Sequence, residues 1–212
     1  VNKLNPPRID FGARALNEED LSSDPILVFS DWWRNAIQAQ IAMIDAVVLS
    51  TVDALGHPDA RVVLLKDFDE RGLVFYTNYH SPKAMHIASN SNISMTIFWP
   101  QLERQIRVRG CADKTSLVES AEYFKDRPRG AQIGAWASLQ SEELISRLAL
   151  EQAYQDVEAQ FSGSNIPCPP HWGGFRLQPN YFEFWQGRSN RLHDRFSFKK
   201  TGSSWQRSRL FP

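Results

Sequence analysis

The chain lacks most of the patterns that carry metal-centred or protein-only chemistry. Cysteine occurs only at Cys111 and Cys168, far apart and in no Cys-x-x-Cys or Cys/His spacing. That excludes a disulfide-stapled scaffold and a legible metal site, and two free thiols fit a reducing compartment. Neither charge sign is in excess: 24 Lys and Arg stand against 24 Asp and Glu. No global field draws the chain to nucleic acid or an anionic membrane, so any anion site must be local. The most apolar stretch, residues 41–52, is shorter than the ~20 residues of a membrane span and carries Asp45. There is no Gly-rich phosphate loop, no GxGxxG, no GxSxG and no HExxH. His57, His80, His86 and His171 fall in turns or on a short helix without metal spacing. A hydrolase made of protein groups alone and a metalloenzyme are both unsupported, whereas a bound organic cofactor could supply reactivity. No secretory-leader pattern is visible from Val1 onward, and cytoplasm is the expected compartment.

At 212 residues the chain can bury a core without staples. Residues 1–23 mix prolines and charges and predict an arm that orders only against the body or a partner; residues 24–212 predict a single domain. Asp24 and Pro25 open a helix to about Gln40, with Ile26, Phe29, Trp33 and Ile37 as its apolar stripe. Residues 46–52, 61–66 and 73–78 predict an antiparallel meander, with a turn at 53–58 and a charged loop at 67–72. A short helix at 81–90 and strands at 93–99 and 103–114 follow. Ser116 and Glu119 form a capping-box pattern for a helix ending near Arg127, ahead of Pro128. Residues 134–136 read as a connection, 140–161 as a long polar helix, and 162–170 as a loop. Residues 172–177, 181–186, 192–198 and 205–210 complete roughly nine short strands. This pattern is mainly β with helices, a barrel decorated by helices.

Residues 181–196 (YFEFWQGRSNRLHDRF) set five aromatics against a cluster of cations and one histidine. Residues 182–187 alternate like a half-buried strand, and 187–190 reads as a turn. If extended backbone resumes at Arg191, then Arg191, His193 and Arg195 share one face, with Leu192 and Phe196 on the other. Such a wall is either a solvated hairpin face or a dock for an anionic aromatic ligand. Arg61 and Lys66, five apart in a strand, face opposite sides unless a bulge intervenes. Tyr123 and Arg127, four apart, share a helix face and make either a phosphate clamp or an ordinary Tyr over an Arg stem. Gln105, Arg107 and Arg109, with Gln140 and Ser141, could follow single-stranded nucleic acid with Trp99 as a stacking platform; neutral net charge argues against it. An amide such as Gln105 also suits a ligand with donor and acceptor edges, such as a flavin ring.

The segments RVVLLK, VFYTN, LERQIRVRG, YFKDRPRGAQIGAWAS, PPHWGGFRL, EFWQGRSNRLHDR and the C-terminal RLFP occur in that order. Over residues 24–212 the chain resembles the pyridoxine (pyridoxamine) 5′-phosphate oxidase family, and the EFWQG…RLHDR block is highly specific to it. The resemblance implies an FMN-binding split β-barrel with a six-stranded Greek-key core. It implies a cytoplasmic homodimer with FMN at the interface, no metal, no nucleic acid and no membrane. The implied reaction oxidises pyridoxamine or pyridoxine 5′-phosphate to pyridoxal 5′-phosphate, with O₂ reduced to H₂O₂ and NH₃ released from the amine. By the same resemblance Arg61, Val62, Val63, Leu64, Leu65, Lys66, Tyr76, Thr77, Lys83, Gln105, Gln140, Ser141, Trp185 and Arg195 hold FMN. Lys66, Tyr123 and Arg127 hold the substrate phosphate, and Arg191, Leu192 and His193 lie by the substrate ring. Arg191 and His193 are the catalytic candidates, His193 as a polar contact rather than an obligatory base. Two positions depart from the family pattern: Pro82 replaces an Arg beside the flavin phosphate, and Ala131 a Ser that donates to the substrate phosphate. The alternatives are a paralogous flavin oxidase of another ring, of the phenazine type, or a non-catalytic flavin- or pyridoxal-phosphate-binding protein.

Overall fold

The computed structural model describes residues 10–12 and 14–212; the predicted arm at 1–9 and 13 lies outside the described residues. Along the chain run α1 (Pro25–Gln38), β1 (Ala46–Val52), β2 (Pro58–Asp69), β3 (Gly72–Asn78), α2 (Pro82–Ser89), β4 (Asn92–Trp99) and β5 (Arg104–Lys114). After them come α3 (Leu117–Lys125), α4 (Arg129–Ala137), α5 (Arg147–Gln160), β6 (Trp172–Gln186), β7 (Asp194–Thr201) and β8 (Ser204–Leu210). The strand order is β3-β2-β1-β4-β5-β6-β7-β8, and β3 also pairs with β6. Six strands therefore return on themselves as a barrel, with β4 beside β1 after the β1–β3 meander in a Greek-key arrangement. Among the described residues there are eight strands, not nine, because 172–177 and 181–186 belong to the single strand β6. Pro179 sits between β6's β3 ladder, which ends at Leu177, and its β7 ladder, which begins at Tyr181. There its missing N–H costs neither ladder a bond.

The chain divides into two compact units, residues 1–48, 95–109 and 179–212 in the first and 49–94 and 110–178 in the second. In the first unit Asp24 caps α1 by accepting from the Ile26 amide at 2.9 Å. The stripe of α1 that enters the core is Pro25, Val28, Phe29, Trp32 and Ala36. Ile37 is 55% exposed, so the expected stripe was one residue out of phase except at Phe29. Trp32 meets Phe184 edge-on at 5.2 Å, and Phe182, Phe184, Phe196 and Phe198 are fully buried. Residues 181–186 are thus covered on both faces rather than half-buried, since Glu183 and Gln186 are also buried. Trp99 is 2% exposed and donates to the Ile44 carbonyl, which removes it as a stacking platform.

In the second unit Asp69 and Gly72 end a tight hairpin, where a loop at 67–72 was expected. Ser116 caps α3, accepting from the Glu119 amide at 3.0 Å. The reciprocal half of the capping box is absent, because the Glu119 carboxylate receives Arg176 at 2.6 Å instead. Residues 134–136 lie inside helix α4, not in a connection. Tertiary contact overrides the glycines there: Ile133 packs with Phe124, Ile166 and Trp172, and the Gln132 amide donates to the Phe124 and Lys125 carbonyls at the end of α3. The long helix begins at Arg147 behind a Ser146 cap, not at Gln140. Ser141 stands at φ +73°, which a continuing helix excludes.

Candidate active site

The site residues expected from the sequence fall into two sets, one in each unit. In the second unit β3, α2, α3 and β6 bring together Tyr76, Thr77, Lys83, Tyr123, Arg127 and Gln140. Tyr76 and Tyr123 stack at 3.9 Å and 7°, and both lie parallel to Trp172, at 5.4 and 6.2 Å. Gly174 permits this, since a Cβ there would stand 2.9 Å from Tyr76 Cε1 and 2.6 Å from Thr115 Oγ1. Burial, then the Glu119 charge, pushes the Tyr76 phenol up to about 12, so it remains a hydroxyl donor at any physiological pH.

Arg127 lies beyond the last residue of α3, so the shared helix face with Tyr123 does not exist as such. Its guanidinium rests over Trp172 at 4.5 Å and Phe124 at 5.5 Å. Its Nη1 is buried and has no hydrogen-bond partner. Burial holds this guanidinium below its ordinary pKa. A cavity of about 280 Å³ is lined by Arg127 with Asn78, Ala131, Ser138, Gln140 and Trp172. A buried donor left unpaired costs about 1–3 kcal/mol, which makes this nitrogen a candidate contact for an acceptor in the cavity. Trp172, which organises this half, was not read from the sequence as a site residue; its only signal was the WGG tripeptide.

The Lys83 ammonium donates to Gln140 Oε1 at 2.7 Å and Thr77 Oγ1 at 3.2 Å. Burial first, and the Arg61 charge second, hold it down at about 8. Arg61 is half-buried, donates to Thr51 Oγ1 at 2.8 Å and pairs with Asp59. Lys66 occupies a bulge: Leu65 pairs with Phe75 and Asp67 with Val74, leaving two β2 residues against one step of β3. The strict alternation that set Arg61 and Lys66 on opposite faces therefore stops at Leu65. Val62 and Leu64 are exposed along β2, Val63 is intermediate and Leu65 is buried. Pro82 is the first residue of α2 and Ser141 is exposed.

In the first unit Gln105 lies on β5, and Trp185, Arg191, Leu192, His193 and Arg195 lie on β6, β7 and the turn between them. Extended backbone does not resume at Arg191. Ser189–Arg191 forms a 3₁₀ turn with Asn190 at φ +54° and Arg191 at φ +62°, and β7 starts only at Asp194. Two-residue alternation therefore does not place Arg191 beside His193. Leu192 is 68% exposed while Phe196 is fully buried, so those two do not share a buried face. What orients His193 is local: the Arg188 amide donates to its Nδ1 at 3.1 Å. An amide can only donate, so the neutral ring carries its proton on Nε2. Trp185 lies 4.6 Å from the imidazole, and Phe11 meets both rings edge-on at 5.6 and 5.8 Å. Burial, then Arg191, then Arg195 lower the His193 pKa. Its NMR titration should accordingly have a midpoint below 6.5 with the Nε2–H tautomer dominant above it; a midpoint above 6.5 would contradict this geometry.

Arg107 is spoken for by Glu183 at 3.2 Å, and the Arg109 guanidinium lies over Tyr181 at 4.0 Å. A basic track for nucleic acid is not what these strands present. His57 pairs with Asp53, His86 meets Thr51 and His171 meets the Ala135 carbonyl. Among the described residues no group of His, Cys, Asp and Glu could hold a metal ion, and no helix is long and apolar enough to cross a membrane.

A family model described as pyridoxamine 5′-phosphate oxidase matches residues 34–161. Another, described as the pyridoxine 5′-phosphate oxidase C-terminal dimerisation region, matches residues 172–212. The pyridoxine/pyridoxamine 5′-phosphate oxidase of Cupriavidus necator is 48% identical over 213 residues, covering 100% of each chain. That of Rubrobacter xylanophilus is 47% identical over 205 residues, 97% of this chain and 94% of its own. Among solved structures, PhzG from Burkholderia lata in complex with tetrahydrophenazine-1-carboxylic acid superposes with a TM-score of 0.89 at 29% identity, covering 95% of this chain and 100% of that one. An FMN-binding protein related to pyridoxamine 5′-phosphate oxidase from Nostoc punctiforme, at 17% identity over 91% of this chain and 100% of that one, shares the fold with a TM-score of 0.73. The sequence, the split-barrel strand order and these matches agree, and the chain belongs to the pyridoxamine 5′-phosphate oxidase family.

Proposed function

We propose that the protein is an FMN-dependent oxidase of pyridoxamine and pyridoxine 5′-phosphates, acting as a homodimer with flavin at the interface of two copies. The observation that carries this reading is the unpartnered, buried Arg127 Nη1 on the cavity beside Trp172. An N–H held dry over an indole fits a phosphate oxygen better than water or a neutral ring. Tyr123 adds a phenol beside it, and Lys66 at the β2 bulge adds a third phosphate contact. Ala131 offers no hydroxyl here, while Ser138 lines the same cavity and can take that part.

The residues present also fit FMN. Lys83, held by Thr77 and Gln140 without a carboxylate partner and next to Arg61, is a cation available to the flavin phosphate. With Pro82 in place of an arginine, Lys83 carries more of that task. Gln105, Trp185 and Arg195 are the flavin contacts proposed for the first unit. FMN, when bound, supplies the redox chemistry: two electrons leave the substrate C4′ carbon as hydride and pass to O₂, giving H₂O₂. The alcohol yields the aldehyde directly; the amine consumes one water and releases NH₃. The protein's own contribution is placement. Phosphate anchoring fixes one end of the substrate, and Arg191 and the Nε2–H of His193 orient the ring, so the reacting carbon is held in one geometry.

The Lys83 pKa gives this site a pH signature. As pH rises through about 8 the free site loses its ammonium, so FMN affinity should fall from about pH 7 to about pH 9. Riboflavin, with no phosphate, should show no such slope, and Lys83→Arg should flatten it. In the apoprotein the sign is opposite. Between about 8 and 10.5 the unfolded chain holds the Lys83 proton and the folded one does not, so stability rises with pH there. Fluorescence titration at several pH values measures the first effect and thermal melts the second.

The likeness to PhzG, whose solved complex holds a tetrahydrophenazine carboxylic acid, supports a second reading in which another ring is oxidised. The carboxylate of such a ring could also accept from Arg127 Nη1, so the choice between the two readings rests on the full-length oxidase relatives and on turnover. The deciding experiment is to identify the flavin released by acid from purified protein and to follow H₂O₂ during turnover of pyridoxine 5′-phosphate. FMN and one H₂O₂ per aldehyde support the proposal. A colourless protein, or a flavoprotein that turns over only a phosphate-free ring, overturns it.

A further inference from the structure

Glu183 is a carboxylate that the proposed chemistry does not use, and it is nonetheless among the most buried polar groups of its unit, with a side chain 3% exposed. Four donors converge on it. Arg195 gives Nε at 3.1 Å and Nη2 at 2.8 Å to Oε1. Arg107 Nη1 at 3.2 Å and the Tyr181 hydroxyl at 2.8 Å go to Oε2. The remaining Arg195 nitrogen, Nη1, donates to the Phe211 carbonyl at 2.8 Å. Every nitrogen of that guanidinium therefore has a fixed partner, which sets both its position and the tilt of its plane.

The strand register makes this a built arrangement. Trp185 pairs directly with Arg195 and Glu183 with Ser197, so Glu183 and Arg195 are diagonal neighbours on one face of the β6–β7 ladder. Phe182, Phe184, Phe196 and Phe198, all fully buried, fill the opposite face of the same ladder, so what holds Glu183 on its own face is the polar set of Tyr181, Arg107 and Arg195. A buried ion pair is weak support for stability, whereas the two bonds to Glu183 and the one to the Phe211 carbonyl restrict how the Arg195 plane can turn. We propose that Glu183 is a positioning residue that sets the Arg195 guanidinium for contact with the flavin. This rests on the reading that Arg195 belongs to the flavin site.

The test is a double-mutant cycle on FMN binding, followed by flavin fluorescence in reconstituted wild type, Glu183→Gln, Arg195→Lys and the double variant. Arg195→Lys should weaken FMN binding about tenfold or more, Glu183→Gln by a similar factor, and the double variant no further than Arg195→Lys alone. Additive losses, or a Glu183→Gln protein that binds FMN like wild type, overturn the positioning role while leaving the flavin reading standing. An Arg195→Lys protein with unchanged affinity overturns the reading of Arg195 itself, and the inference with it. Should Glu183→Gln not fold, Glu183→Asp serves in the same cycle. It keeps the charge but withdraws it from Arg195, so the same non-additivity is expected, and additivity again refutes the role.

Discussion

Arg127→Met should melt within a few degrees of the wild type and yet lose roughly 10²- to 10³-fold in kcat/KM for pyridoxine 5′-phosphate. The two halves of that result have separate causes. In the free protein Arg127 Nη1 is a buried donor with no acceptor, a cost of about 1–3 kcal/mol that Met removes. Against it stands the lost cation–π contact with Trp172, worth about 0.5–2 kcal/mol, so the balance is near zero. With substrate bound the account is different. Two charge-assisted hydrogen bonds to a phosphate, each about 1.5–3 kcal/mol, are gone. An arginine kept for structure would show the reverse: a marked drop in melting temperature and little change in substrate selectivity. Thermal melts and steady-state kinetics on one preparation separate the two.

Arg191→Gly is the second large effect. Arg191 is exposed and sits at φ +62°, a left-handed conformation that costs an arginine about 1–2 kcal/mol, next to Asn190 at φ +54°, where asparagine is tolerated. Packing does not repay that strain, because the side chain is not in the core. Strain of this kind is kept where it aims a side chain at a task. Glycine relieves it, so stability should hold or rise by about 1 kcal/mol. Flavin content should also hold, while turnover falls about 100-fold or more because the ring loses its orienting cation. An unchanged turnover number would remove Arg191 from the chemistry.

What the sequence disclosed and what it hid follow from the range of the forces involved. Strand alternation is local, and β5 shows it cleanly, with Ile106, Val108 and Gly110 buried against the intermediate Gln105 and the exposed Arg107 and Arg109. The Asp24 cap of α1 is equally local and was placed to the residue. Helix α4 was hidden because Gln132 and Ile133 form it through contacts with α3 and residues 166–172, which no window of neighbouring residues contains. The Arg191 turn was hidden because left-handed backbone at an arginine contradicts propensity, as functional segments often do. The resemblance named the cations of the site; it did not show that Arg127 stands over Trp172 or that Lys66 occupies a bulge. Glu183 was read only as one position in an alternating strand, since the arginines that meet it come from β5 and β7.

The claim on which the account turns is that a dry guanidinium beside Trp172 waits for a substrate phosphate. The most direct check is oxygen uptake by the wild-type flavoprotein and by Arg127→Met, each with pyridoxine 5′-phosphate and with unphosphorylated pyridoxine. Wild type should favour the phosphate ester by about 10³-fold or more in kcat/KM, and most of that preference should vanish in Arg127→Met with the unphosphorylated rate unchanged. Equal rates on both substrates in the wild type, or a preference that survives the loss of Arg127, would contradict it.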